Sequence, residues 1–218
     1  MRLTASDGHQ LNAYMPQSTG TQRGALVVIQ EIFGVNGHIR AVADDYAREG
    51  YWTIAPALFD RVRPNLELGY GPEDRKTGMQ AASQVGLEAA LGDVRASIEY
   101  AKQQLGKKVG VLGFCWGGTV AWLAATRLQP DAVVAYYGGQ IAKFSSEKPR
   151  CPVELHFGKL DAHIPITEID EIRPYHPQLP IFLYDAGHGF NCDQRESYEP
   201  VSAALARQRT LQFLRENL

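Results

Sequence analysis

A thiol, a carboxylate and an imidazole, the three groups that together catalyse acyl transfer, each follow an apolar run in this 218-residue chain. Cys115 sits in Gly113-Phe114-Cys115-Trp116-Gly117-Gly118, between the apolar run Lys108–Leu112 and the helix-compatible run Thr119–Arg127. Strand, Gly-x-nucleophile-x-Gly, helix is the context of a nucleophile elbow, with Cys in place of the commoner Ser. The flanking glycines remove side chains that would collide where strand and helix meet around a strained nucleophile. The partial positive charge at the start of the following helix favours thiolate and oxyanion alike. A small buried cysteine in a glycine-rich turn would read the same way, so the rest of the chain has to decide.

His188 lies in Asp185-Ala186-Gly187-His188-Gly189-Phe190, just beyond the last strand-like run. A loop histidine is often only solvent-exposed, but glycines on both sides let this one reach a neighbouring strand end as a general base. Asp161, in Gly158-Lys159-Leu160-Asp161-Ala162-His163-Ile164-Pro165, follows the penultimate run. Alone it reads equally as a turn or cap residue; with His188 it reads as the carboxylate that orients the ring and stabilises the imidazolium. The order Cys115, Asp161, His188 is the nucleophile–acid–base order of the α/β-hydrolases. Oxyanion donors are expected from the backbone N–H groups of Trp116 and Ile32. The side chains of Trp116 and Trp52 read as packing.

The elements that must position these groups follow from the apolar pattern. Strands are expected at Gly24–Gln30, Tyr51–Ala55, Lys108–Phe114, Ala132–Tyr137, Pro152–Phe157 and Pro180–Tyr184, with His9–Met15 as an antiparallel edge. Helices are expected at His38–Glu49, over Pro72 to Leu105 with breaks at Gly78, Gly86 and Gly92, and at Pro200–Leu218 with Val201, Ala204, Leu205, Leu211 and Leu214 as its apolar positions. Continuous apolar strands alternating with helices imply an α/β fold, a mostly parallel sheet covered on both faces. In such sheets chemistry sits at the carboxyl ends of the strands, which selects Glu31, Cys115, Asp161 and His188.

Composition sets the boundaries. Hydrophobic residues make up 44% and charged residues 21%, an ordinary globular balance. Residues 1–218 are expected to form one domain, large enough to bury roughly 70% of the unfolded chain's surface. A net charge of −2 makes no electrostatic case for nucleic acid or an anionic membrane, and no apolar run approaches the roughly 20 residues of a membrane span. Three cysteines, without a CxxC spacing, suit neither a disulfide framework nor a zinc-binding motif. A soluble, cytoplasmic, reduced protein is expected, a monomer or weak homo-oligomer whose partner is a small ester or lactone.

Gln30-Glu31-Ile32-Phe33-Gly34-Val35-Asn36, Ala55-Pro56-Ala57-Leu58-Phe59, the Cys115 elbow, the Asp161 loop and Gly187-His188 together resemble the dienelactone hydrolase (carboxymethylenebutenolidase) family, from about Gly8 to the C-terminus. The resemblance implies an α/β-hydrolase fold and cofactor-free hydrolysis of an enol-lactone or similarly activated ester by a Cys-His-Asp triad. It also implies that Glu31 contacts the resting nucleophile and, displaced by substrate, takes the thiol proton; from the residues alone Glu31 is a cap or salt-bridge carboxylate. The family holds the lactone carboxylate with two arginines beside a tyrosine. An ungapped match puts the first arginine at Arg75, which also reads as part of the solvated run Glu73-Asp74-Arg75-Lys76, the tyrosine at Met79 and the second arginine at Cys192. A thiol cannot replace a bidentate guanidinium. Met79 and Cys192 are thus expected to line a more apolar pocket, with uncharged activated esters preferred, unless Arg195 or Arg40 completes the clamp. Other readings are a broad carboxylesterase or thioesterase, and a non-catalytic binding or redox-sensing protein.

Overall fold

A computed structural model describes residues 1–17 and 20–218. The strands are β1 (Arg2–Thr4), β2 (Gln10–Tyr14), β3 (Ala25–Ile29), β4 (Trp52–Pro56), β5 (Val109–Phe114), β6 (Ala132–Tyr136), β7 (Val153–Gly158) and β8 (Ile181–Tyr184). They form one eight-stranded sheet in the order β1-β2-β4-β3-β5-β6-β7-β8. From β4 to β8 all neighbours are parallel, and β1 and β2 add an antiparallel edge. Strands β3, β5, β6 and β7 are buried at every position, as a parallel sheet covered on both faces requires.

The helices are α1 (Gly37–Arg48), α2 (Pro72–Leu105), α3 (Trp116–Arg127), the short α4 (Ile166–Asp170) and α5 (Pro200–Asn217). Helices α2 and α3 pack on one face. On the other, α5 lies over β5 through Leu214 and Leu218 and is joined to α1 by Arg207, which donates to Asp45 and Glu49 at 2.6 and 2.7 Å. Asn36 caps α1 by accepting from the Ile39 N–H at 3.3 Å, which ends the loop that carries Glu31 and Ile32. Arg61 ties the loop after β4 to α2 through a bidentate pair with the buried Asp93, both contacts at 2.7 Å. This is an α/β-hydrolase fold.

Three details depart from expectation. Of the three glycines expected to break α2, only Gly86 leaves helical geometry, with φ 70° and ψ 164°. Gly78 is helical because α2 runs against the Ile32 carbonyl there: a Cβ would lie 1.9 Å from that oxygen. The buried stripe of α5 is Ser202, Ala203, Ala206, Thr210, Leu211 and Leu214, so Val201, Ala204 and Leu205 face outward. Small residues let α5 approach the sheet closely, and the Thr210 and Tyr136 hydroxyls bond each other at 2.8 Å. Finally, α3 begins at Trp116, three residues before the run that marks it in the sequence.

The two helical glycines predict opposite outcomes. Gly78→Ala should destabilise the protein by about 1–3 kcal/mol, the usual cost of overpacking. Gly92→Ala, with nothing within 4 Å of its added Cβ, should stabilise by about 0.5–1 kcal/mol by removing backbone entropy from the unfolded chain. Urea denaturation measures both, and a neutral Gly78→Ala would refute the close packing described.

Candidate active site

Cys115 occupies the turn between β5 and α3 with φ 55° and ψ −120°, a region that a non-glycine residue enters only when its surroundings enforce it. Backbone contact does so here. A Cβ at Gly113 would lie 2.0 Å from the Gly117 oxygen, and one at Gly117 would lie 2.3 Å from the Gln30 oxygen. The Cys115 N–H donates to the Tyr136 carbonyl at 3.0 Å, and its own carbonyl accepts from Gly118 at 2.9 Å. The turn is thereby pinned to β6 on one side and to α3 on the other.

His188, Asp161 and Cys115 are brought together from three loops at the carboxyl edge of the sheet. His188 Nε2 is 3.1 Å from the Cys115 Sγ, and His188 Nδ1 is 2.7 Å from Asp161 Oδ2. The other Asp161 oxygen accepts from the backbone N–H groups of His163 and Ile164 at 2.8 and 3.2 Å. Asp161 therefore has its rotamer locked by its own loop, and the imidazole has one orientation. Burial disfavours a charged His188 ring, but the Cys115 sulfur and the Asp161 hydrogen bond outweigh it and raise its pKa from the ordinary 6.5. The site stabilises imidazolium over the neutral ring.

A cavity of about 490 Å³ opens over these groups, lined among others by Ile32, Phe33, Arg75, Met79, Trp116 and Arg195. Neither the Ile32 nor the Trp116 backbone N–H has a protein acceptor among the described residues; Trp116 is the first residue of α3, where helix N–H groups are left over. Both N–H groups are free to donate to a further acceptor. Glu31 is 1% exposed. Its partner is Arg195, 3.1 Å from Oε1, and the Cys115 thiol is turned to His188 rather than to Glu31.

Of the three positions given by the ungapped match, two line the cavity and one does not. Arg75 and Met79 line the cavity, both from α2, whereas Cys192 is wholly buried and forms no part of the wall. After His188 the chain makes two successive turns, Cys192 N–H to Gly189 O at 2.9 Å and Arg195 N–H to Cys192 O at 3.1 Å. They fold Cys192 inward and bring Arg195 to the cavity, its guanidinium 5.7 Å from the Phe33 ring centroid and 5.9 Å from that of Tyr70. Arg40 is engaged elsewhere, with Glu67 and the Val35 carbonyl. The cavity is thus lined by two guanidinium groups.

Two neighbours carried no sequence signal. His163, beside Asp161 in its loop, meets His188 edge-on at 5.4 Å and lines the cavity. Tyr137, wholly buried with φ 39°, packs 5.1 Å from the His188 ring. The electrostatics make a direct prediction. Cys115→Ala removes an influence that raises the His188 pKa, so the imidazole's NMR titration midpoint should fall. An unchanged midpoint would mean that the thiolate is not the ring's counterion.

Comparison with known proteins identifies the family. The model of the dienelactone hydrolase family matches residues 11–218. A Synechocystis sp. relative is 35% identical over 96% of this chain and 93% of its own length. The carboxymethylenebutenolidase of Pseudomonas putida is 33% identical, covering 97% of this chain and 94% of that protein. A crystal structure from Klebsiella pneumoniae, 31% identical, superposes with a TM-score of 0.85 over 97% of this chain and 96% of the other. The chain is a member of the dienelactone hydrolase family, hydrolases of esters and lactones.

Proposed function

We propose that the protein hydrolyses small activated esters or lactones through a Cys115 nucleophile, with His188 as base and Asp161 as the group that orients it. The observation that carries this is the single imidazole in contact with both the thiol and a buried carboxylate on the floor of the cavity. Cys115 Sγ attacks the substrate carbonyl carbon, and the oxyanion accepts hydrogen bonds from the Ile32 and Trp116 N–H groups. Collapse expels the enolate or alkoxide, which takes a proton from His188. A water then gives a proton to His188 and attacks the thioester; the carboxylic acid leaves and the thiol is restored. A thiolate is itself a good leaving group, so substrates with leaving groups as good as enolates are favoured over alkyl esters.

The cavity walls support a choice of substrate class. Arg75, without an ion-pair partner among the described residues, and Arg195 can bind a substrate carboxylate, so a carboxylate-bearing lactone is the favoured substrate. A carboxylate at Arg195 competes with Glu31 for that guanidinium and frees Glu31 to move toward Cys115, beside the thiol whose proton His188 takes. The apolar walls, Ile32, Phe33, Leu87 and Ile164 among them, support the second reading, a broader esterase acting on neutral activated esters. A cytoplasmic protein with this small-molecule partner remains part of the proposal; no described helix is long and apolar enough to cross a membrane.

Two experiments test it. Cys115→Ala and His188→Ala should each lower kcat by several orders of magnitude, because nucleophile and base act as a unit, and Asp161→Asn should keep the fold but lose much of the rate; wild-type turnover by Asp161→Asn would overturn the assignment. Arg195→Met should cost a carboxylate lactone about 1.5–3 kcal/mol, the worth of a charged hydrogen bond, or roughly 10- to 150-fold in kcat/KM. A neutral aryl ester should change far less. Equal losses on both substrates would remove the case for a carboxylate site.

A further inference from the structure

A buried cluster beside Glu31 lies outside the substrate cavity. One oxygen of Glu31, one ring nitrogen of His38 and the sulfur of Cys192 lie within 4.8 Å of one another. Three atoms no farther apart than that share a point within about 2.8 Å of each, the circumradius of an equilateral triangle of that side. Bonds to zinc are about 2.0–2.3 Å for these donors, so a small contraction would close a first shell.

Two observations point to a ligand. Glu31 Oε2 and His38 Nε2 are buried without a hydrogen-bond partner, in residues 1% and 3% exposed. Buried polar atoms are nearly always satisfied, and these two belong to residues that cluster with the Cys192 sulfur. His38 Nδ1 also lies 3.5 Å from Asp193 Oδ1, the carboxylate–imidazole arrangement that orients metal-binding histidines. His38 also lines a second cavity of about 420 Å³ with Asp45, Asn191 and Asp193, none of which borders the substrate cavity.

We propose that Glu31, His38 and Cys192 bind a borderline-soft divalent cation, with zinc the best match, reached from the His38–Asp193 side. His38 supplies Nε2, Glu31 supplies Oε2 while Oε1 stays with Arg195, and Cys192 supplies thiolate, its proton passing to solvent. Thiolate and imidazole select zinc, cobalt or nickel over magnesium and calcium. An occupied site holds the Glu31 carboxylate in place and would restrain its movement toward Cys115; that consequence rests on the function proposed above, whereas the site itself does not.

The test is optical and independent of turnover. In the full-length Cys115→Ala/Cys151→Ala variant, Cys192 is the one remaining thiol. Titrating the metal-free protein with cobalt(II) should produce a thiolate-to-cobalt charge-transfer band at one equivalent, bleached by zinc. Adding His38→Gln should weaken binding at least tenfold, and adding Cys192→Ser should abolish the band. Circular dichroism establishes that each variant folds; should the Cys192→Ser protein fail to fold, the His38→Gln result decides. No charge-transfer band in large cobalt excess, or a band that His38→Gln leaves unchanged, overturns the proposal and leaves bridging water as the partner of the two orphan atoms.

Discussion

Backbone contact around Cys115 is the constraint on which the rest of the site depends. The turn from β5 into α3 brings the Gly113 and Gly117 backbones so close that a Cβ at Gly113 would overlap the Gly117 oxygen. That proximity holds Cys115 at a positive φ and starts α3 directly at Trp116. The strain of a non-glycine residue in this region, of order 1–3 kcal/mol, is offset by the surrounding packing, in which every residue of α3 from Trp116 to Thr126 is buried. A loosely packed helix could not impose it. The thiol and the Trp116 N–H are therefore placed by one rigid junction, and the other groups are brought to it.

Those other groups are charges withdrawn from water, and each is paired. Asp161, its side chain fully buried, meets two backbone N–H groups and the His188 ring. Glu31 meets Arg195, whose guanidinium is held near the aromatic rings of Phe33 and Tyr70. Buried pairs of this kind gain little net stability because desolvation consumes most of their attraction. Their value lies in placement, since breaking either pair leaves an uncompensated charge in a dry site. In the function we propose, a carboxylate arriving at Arg195 supplies a second anion, and the Glu31 pairing becomes dispensable.

Much of the fold and part of the site were legible in the chain. Short runs such as Ala25–Ile29 and Val109–Phe114 are apolar throughout because each strand is covered on both faces, and that demand is written locally in residue types. The placement of Glu31, Cys115, Asp161 and His188 after four of those runs follows from where a parallel sheet opens. Less of α5 and α2 could be read. The α5 stripe is built from Ala203, Ala206 and Thr210, whose size and hydroxyl suit a close approach to β6, while larger apolar residues such as Val201 face outward, 73% exposed. Gly78, a breaker by propensity, serves a contact with a loop forty-six residues earlier in the chain, at Ile32.

The sequence by itself determined the sheet, the elbow that carries Cys115, the loops that carry Asp161 and His188, and the family, because these depend on periodicity, on glycines at fixed offsets and on contiguous motifs. Tertiary structure decided which cation lines the cavity. Two consecutive turns after His188 exchange the positions that a linear count assigns, burying Cys192 and delivering Arg195 to the cavity wall. It also decided that His38, at the start of α1, would meet Cys192 and Glu31. The physical reason is the same in both cases. Strand and helix patterns record each residue's own surroundings, whereas the direction of a side chain in a non-repetitive loop is set by hydrogen bonds and packing with distant parts of the chain.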